Sequence, residues 1–594
     1  MKEAAQRFQV RFENLNREAS CIEGETIFQS ARRAGIRVVG ACGGRGVCGT
    51  CMVRVHSGEF HTPETETGTA TPRRRKWMRA CQLHPQGDCV VEVAPRSVAR
   101  VVRADVDGES AAPFAFDPIV QMHELALGEP TLAQATADAD RALQALRRDS
   151  TASVDLYALR ELPALLRHHH WKLRAASRGE ELIAFTPCGQ RVLGLAVDLG
   201  TTNCAGYLLD LDTGQRLNGL GIENPQASYG ADLVSRLSYA ITSQEHRLEL
   251  RSAAVTAVNE LGRTLCEAVS ASPEDIVDVT LCGNTAMHHL LLGLPVRQLG
   301  RAPYVPAVCE ALDIKARDLG IVCAPGAYAH AMPNVGGYVG GDHVAALLAT
   351  EKRWRDATTV VMDIGTNTEI SLVHAGEIST VSCPSGPALE GGHISGGMRA
   401  AEGAIERVFL EEGRIAVKTI GHGDPVGLCG SGVLDAIAVL LEARIIDRRG
   451  RIGHDHGTVR IQGDHREVVI APDVVLSQSD VRAVQLAKAA IRSGVDLLLR
   501  EAGLEEAAIE RMVIAGAFGT YIRVESAIAI GLLPALPLER FEQVGNAAGL
   551  GVRMVLASAS ARERARQLAR RCRYLQLGSL PGFQKAFLGR IGFD

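Results

Sequence analysis

The sequence predicts a multidomain chain: a small β-rich module with a cysteine loop, a small α/β unit, and a large α/β region built from two similar halves. Three observations carry this reading. Short β-rich runs (RFQVRF, CMVRV, CVVEV) surround a glycine- and cysteine-rich loop between residues 7 and 94. Helical periodicity in ATADADRALQALRRD and LYALRELPALLRHHH gives way to short strand patterns before residue 190. Beyond Arg191, GLAVDLGTTNCAGYLLDLDTGQ (194–215) is echoed by VVMDIGTNTEISLVHAGEI (360–378). Each copy reads as strand, Asp-x-Gly-Thr turn, strand, tight turn, strand, so the echo implies duplicated halves facing across a cleft, not a short-period solenoid.

Length and composition bound the rest. At 594 residues the chain needs several cores, and 46% hydrophobic with 22% charged residues is the balance of a soluble globular protein. A formal net charge of -4 offers no global case for nucleic-acid binding, which needs a concentrated basic face. The start, MKEAAQRFQVRF, lacks a secretory layout, and no run of about 18 apolar residues suits a bilayer, so a cytoplasmic protein without a membrane partner is expected. In that setting the fifteen cysteines read as metal ligands or buried thiols, not disulfides. The segment 95–118 mixes proline, small residues and charges without a period, as a linker does. The expected division is therefore 1–94, a linker at 95–118, a middle domain at 119–190 and a large domain at 191–594.

Cys42, Cys48, Cys51 and Cys81 are spaced C-x5-C-x2-C-x29-C. Four thiolates are what a [2Fe-2S] cluster requires, and the glycines at 43, 44, 46 and 49 let the loop wrap tightly with its N–H groups toward the sulfides. A four-cysteine zinc site usually pairs two CxxC knuckles, whereas here the fourth cysteine stands alone after a β-rich stretch. At these residues the module resembles ferredoxins. The five-residue first gap is closer to the adrenodoxin-like branch than to the plant type, with its gap of four. Cys21 and Cys89 read as core thiols, and the run 73–76 as a solvated loop.

In the large region, a strand ending in Asp-x-Gly-Thr presents a carboxylate that can hold a metal-bound water, and then a turn whose N–H and hydroxyl groups can surround phosphate oxygens. Two such turns, Asp198-Gly200-Thr201-Thr202-Asn203 and Asp363-Gly365-Thr366-Asn367, would grip phosphates from opposite lobes. This is similar to the superfamily of actin, the heat-shock chaperone ATPases and the sugar kinases, which implies ATP with Mg2+ as ligand. Along the chain, VTLCGNTAMHHLLLG (279–293) resembles the superfamily's first interlobe connection, VIAGAFGTYI (513–522) its adenosine turn with Gly516 and Gly519, and VGNAAGLG (544–551) its second connection. Asp342 sits where glycerol-kinase-like members carry a catalytic base; a helix N-cap is the structural alternative. The glycine-rich stretch 383–405 is expected to line the cleft or a partner surface.

Joining a ferredoxin module to an actin-like ATPase suggests that hydrolysis drives an electron uphill. The whole chain, with NPQASYGADLVSRL, GNTAMHHLLLG, PSGPALEGG and GAFGTYI, resembles the reductive activators of corrinoid-dependent enzymes. The resemblance implies an N-terminal β-grasp ferredoxin-like α+β domain, a small α/β middle domain and a duplicated α/β actin-like (ribonuclease H-like) ATPase domain. It also implies one-electron return of a corrinoid protein from Co(II) to Co(I), an upstream electron donor, and a homodimer through the ATPase domain. Asp198, Asp342 and Asp363 are the expected catalytic carboxylates. A cluster near about -400 mV feeding an acceptor about 100–200 mV lower needs about 2.3–4.6 kcal/mol per electron, which nucleotide-driven docking can cover. The alternatives are a small-molecule kinase with an iron-sulfur regulatory domain, using Asp342 as base, and a nucleotide-binding redox sensor.

Overall fold

The computed structural model describes residues 6–34, 36, 38, 44, 46, 51–62, 77–94, 97, 114–146, 153–230, 232–392, 394–453, 457–463, 465–516 and 518–593. Its first module is a β-grasp. Strands β1 (Arg7–Phe12) and β2 (Arg17–Ile22) lead into helix α1 (Ile27–Arg33), followed by β3 (Met52–Ser57), β4 (Trp77–Arg79) and β5 (Cys89–Val93). The sheet order is β2-β1-β5-β3-β4, with β1 and β5 parallel and the other pairs antiparallel. Alternation in β1 buries Phe8, Val10 and Phe12, and α1 covers them with Ile27, Phe28 and Ala31. A reciprocal cap between Thr26 and Gln29 fixes where α1 starts.

The second unit has β6 (Val120–Ala126), α2 (Asp138–Ala145), β7 (Ser153–Val154), α3 (Leu156–His168), β8 (Lys172–Arg178) and β9 (Glu181–Pro187), with sheet order β6-β8-β9-β7. Its helices bury Ala142, Leu162 and Leu166 against Leu125, Leu173 and Leu182. Val120, Ala176 and Ile183 instead pack on Val277 and Ala327 of the large region. Asp155 reinforces that seam by pairing with Lys315 (3.0 Å) and Arg317 (2.8 Å).

The large region is two lobes of like topology. Lobe I contains β10 (Leu193–Leu199), β11 (Asn203–Asp210), β12 (Arg216–Glu223), α4 (Leu233–Thr242), α5 (Gln244–Glu267), β13 (Ile276–Cys282), α6 (Thr285–Leu291), β14 (Leu312–Lys315) and β15 (Tyr328–Ala331). After α7 (Gly341–Ala349), lobe II contains β16 (Thr359–Ile364), β17 (Thr368–His374), β18 (Glu377–Cys383), α8 (Gly430–Glu442), α9 (Gln478–Glu501), β19 (Arg511–Ala515) and β20 (Phe541–Gln543). The chain then forms α10 (Ala547–Ala557), α11 (Ala559–Arg571) and β21 (Cys572–Tyr574). The six-stranded sheets run β12-β11-β10-β13-β15-β14 and β20-β19-β16-β17-β18-β21, so each opens with an antiparallel meander and continues with a parallel strand beside its first strand.

The segment 279–293, expected to be the first crossing between lobes, does not cross. Its helix α6 buries Met287, Leu290 and Leu291 in the core of lobe I, because strand β15 has still to join that sheet. The crossing helix is α7, and α10 lies against it. Gly551 of α10 meets the backbone of Ala345 so closely that an added Cβ would overlap the Ala345 carbonyl. Among the described residues no helix is long and apolar enough to cross a membrane.

Helix α11 is tied back to lobe I by a buried ion pair between Arg562 and Asp278 of β13, each only 1% exposed. Removing one partner leaves an uncompensated buried charge. Arg562→Ala is expected to cost about 3–5 kcal/mol, read as a lower thermal midpoint of the two-lobed region, whereas Arg562→Met combined with Asp278→Leu should recover most of the loss.

Candidate functional site

Two of the four expected cluster ligands can be followed in the structure; Cys42 and Cys48 lie outside the described residues, as does the run 73–76. Met52 pairs with Arg79 across β3 and β4, which brings Cys51 beside Ala80 and Cys81; the Ala80 N–H donates to the Cys51 carbonyl at 2.7 Å. Both cysteines are buried in the module core. Gly44 of the intervening loop lies against Phe28 of α1, and the Arg79 guanidinium donates to the Gly46 carbonyl at 2.5 Å. Gly44 and Gly46 thus lie on the Cys51 and Cys81 side of the sheet. Cys21 and Cys89 sit in the same core, with burial pushing the Cys89 thiol up to about 12.

The second site lies between the lobes. Asp198 ends β10 opposite Cys282 of β13, and Asp363 ends β16 opposite Ala515 of β19. A glycine follows the neighbouring strand in each lobe, Gly283 and Gly516, where the chain passes the carboxylate. At Gly516 an added Cβ would stand 2.7 Å from Asp363 Oδ1, so only glycine leaves that carboxylate room. Gly519 is buried one turn further on. Asp342 lies in the first turn of α7, whose N-cap is Gly340, so the N-cap alternative for Asp342 is not realised. Its Oδ1 accepts from the His343 N–H at 2.8 Å.

These carboxylates feel one another. Burial pushes Asp198 up to about 6, and burial with the neighbouring Asp198 charge pushes Asp363 up to about 7. Burial, then Asp198 and Asp363, hold Asp342 well above the carboxylate range. A fourth carboxylate, Glu369, joins them: it is 5% exposed, pairs with Asp363 across β16 and β17, and is held high by burial and then by Asp342 and Asp363. The sequence analysis missed it, although a hairpin centred on Thr366 sets residue 369 opposite residue 363. Cys282 was also missed; its thiol donates to Asp198 Oδ1 at 3.6 Å.

The expected phosphate turns meet across the cleft. The hydroxyls of Thr202 and Thr366 are 2.7 Å apart, and Thr366 donates on to Glu390 Oε1 at 2.8 Å. Asn284 donates to Thr201 Oγ1 at 2.8 Å while capping α6. Asn203 Oδ1 and Asn367 Nδ2, one from each turn, are buried without a hydrogen-bond partner. Gly200 and Gly365 complete the two turns. Arg399 of the glycine-rich stretch forms a 2.7 Å ion pair with Glu223 of lobe I, so that stretch does line the cleft mouth.

Carboxylates gathered with no cation among them, Glu369 buried and Asp198, Asp342 and Asp363 half-buried, are costly and favour a bound cation. Among the described residues no three His, Cys, Asp or Glu side chains converge to hold a metal directly. The arrangement therefore suits a hydrated divalent ion on a polyphosphate, met by two hydroxyl-lined turns and by orphaned amide groups.

Known proteins resemble this chain along nearly its whole length. Residues 10–86 match the model of the 2Fe-2S iron-sulfur cluster binding domain, 109–190 the RACo linker region, 193–353 the RACo middle region and 357–593 the C-terminal domain of RACo, the ASKHA domain. The chain is 32% identical over 606 residues to the corrinoid activation enzyme RamQ of Eubacterium limosum, covering 98% of each chain. It is 26% identical over 388 residues to the [Co(II) methylated amine-specific corrinoid protein] reductase of Methanosarcina barkeri, covering 59% of this chain and 68% of that one. A solved reductive activator for corrinoid, iron-sulfur protein superposes with a TM-score of 0.74 at 32% identity, covering 99% of this chain and 98% of that one.

The carboxylate cluster gives a signed pH dependence. A carboxyl whose folded value is about 7 and whose unfolded value is about 3.9 contributes a stability deficit that grows as pH rises between those values. Asp363→Asn is therefore expected to be more stable than the parent at pH 8, the gap shrinking by roughly 1–3 kcal/mol as the pH falls to about 5, read by denaturant titration.

Proposed function

Since the chain belongs to the RACo-type family of corrinoid activation enzymes, we propose that it returns an inactive Co(II) corrinoid protein to Co(I) in a methyltransferase system, by ATP-dependent one-electron transfer. The observation that carries this is the union, in one chain matched end to end by that family, of a ferredoxin module with Cys51 and Cys81 side by side and a cleft that gathers the half-buried Asp198, Asp342 and Asp363 with the buried Glu369 between two hydroxyl-lined turns. When bound, the cluster supplies a one-electron carrier, and ATP with Mg2+ supplies the free energy for an uphill transfer.

Cys42, Cys48, Cys51 and Cys81 hold the cluster, and the glycines between them keep bulk away from its sulfides. Asp198 and Asp363, on strands of opposite lobes, would hold the hydrated metal ion that accompanies the phosphates. The amides and hydroxyls of Gly200 to Asn203 and of Gly365 to Asn367 bind phosphate oxygens, and the turn at Gly516 and Gly519 lets backbone approach the nucleoside. Asp342 orients the attacking water and accepts its proton, a role its place in the first turn of α7 beside Asp198 and Asp363 suits, with burial and those two charges raising its basicity above that of an ordinary carboxylate. Glu390 aims the Thr366 hydroxyl. Rearrangement of the two lobes around nucleotide is the conformational step that favours transfer. A separate upstream electron donor, a homodimer through the ATPase region and a cytoplasmic setting complete the proposal on family grounds.

Anaerobic visible spectroscopy of the reduced chain mixed with a Co(II) corrinoid protein tests this. Co(I) is expected to form with Mg-ATP and not without it. ATP consumption with the cluster still reduced against every corrinoid protein tried would overturn the reading in favour of a kinase. Asp363→Asn should keep the cluster spectrum and lose roughly 10–100-fold in ATP-dependent Co(I) formation, whereas Cys81→Ser should lose the cluster spectrum itself.

A further inference from the structure

Helix α1 touches both the cluster loop and the nucleotide-binding region. At its start, the Ile27 N–H donates to the Leu83 carbonyl at 2.9 Å, two residues past Cys81, and Phe28 packs on Gly44. At its end, Arg32 leaves the module: its Nη1 donates to the Ser228 carbonyl at 3.2 Å, and the guanidinium stands 4.5 Å over the Tyr229 ring. Tyr229 is supported from behind. Its ring lies 5.3 Å from that of Tyr239, which stacks at 4.1 Å on His246 and donates its hydroxyl to Glu249 at 2.6 Å.

The short turn that carries this platform, Pro225–Tyr229, is strapped to the first phosphate turn. The fully buried Asn224 donates its N–H to the Thr202 carbonyl at 2.9 Å and its Nδ2 to the Gly200 carbonyl at 2.7 Å, and its Oδ1 receives the Gln226 N–H. Gln226, equally buried, is tied by its Nε2 to the Leu250 carbonyl at 2.8 Å. The same Thr202 has its hydroxyl 2.7 Å from Thr366, a separation that leaves no room for a phosphate oxygen between the two turns. Phosphates entering there must part the turns, and Asn224 carries the movement into the platform. Two sites that bias one shared element in different ways are thermodynamically linked.

We propose that the turn Pro225–Tyr229 is a docking surface for the chain's own cluster-bearing module, gripped by Arg32, and that nucleotide phosphates at the Gly200–Thr202 turn loosen that grip. The proposal rests on the reading of these turns as the nucleotide site. One cation over a ring and one hydrogen bond make a contact weak enough to switch. Docked, the module has the end of the helix beside its cluster loop occupied by lobe I. Released, it can present that face to the corrinoid protein.

Hydrogen–deuterium exchange on the full holo chain, with and without Mg2+ and a non-hydrolysable ATP analogue, decides the matter in the absence of any corrinoid protein. In the parent, the analogue should speed exchange at residues 225–230 several-fold while slowing it at 198–203. In Arg32→Ala and in Tyr229→Leu, 225–230 should exchange fast from the outset, and the analogue should add nothing there. Parent-like exchange at 225–230 in both variants, or slowing by the analogue in the parent, would overturn the docking proposal and leave the reductase reading intact. Absence of slowing at 198–203 would instead sink the nucleotide reading beneath it.

Discussion

The geometry of the large region depends on one close helix crossing. α7 carries the chain from lobe I to lobe II, α10 lies against it, and at their contact Gly551 meets the Ala345 backbone with no space for a side chain. Close-packed helices do not slide continuously past one another, so this contact fixes how the two sheets face. It also sets the cleft chemistry, because the first turn of α7 carries Asp342. A side chain at position 551 would move that carboxylate relative to Asp198 and Asp363, which sit on strands of different lobes.

The cleft concentrates a charge cost that an ordinary core would avoid. Burial raises Asp198, Asp342, Asp363 and Glu369 alike, and the charge of Asp198 adds to the rise at Asp342 and Asp363 as those of Asp342 and Asp363 add to that at Glu369. Elsewhere the same fold compensates its buried charges: Asp278 with Arg562, and Asp155 with Lys315 and Arg317. The contrast sets the cleft apart from the core, and hydroxyls and orphaned amides from both lobes gather there as a charged ligand would require.

The two activities of the chain are joined by more than a tether. α1 connects the cluster loop to Arg32, Arg32 reaches the platform at Tyr229, and Asn224 connects that platform to the phosphate turn. Glu223, the residue before Asn224, also closes the cleft mouth through Arg399. A short segment at the end of β12 therefore stands where the phosphate-type turn of lobe I, the Arg399 contact from lobe II and the ferredoxin module converge.

The sequence by itself determined what covalent spacing and strand-turn chemistry encode. The cysteine spacing with its glycines pointed to an iron-sulfur module, and the repeated Asp-x-Gly-Thr turns pointed to duplicated lobes, because both signals are local and survive any packing. The full set of motifs in order also led to the family. What lies outside local pattern was decided by tertiary structure alone. Glu369 joins Asp363 through strand register, Glu390 reaches Thr366 from 24 residues away, and Arg32 meets Tyr229 across nearly two hundred residues. The crossing falls at α7 and not at 279–293, because the apolar face of α6 finds its partners in lobe I, where a further strand completes the sheet. Local sequence sets which turns and ligands can form; only the packing of distant elements sets which charges share a cleft and which surfaces touch.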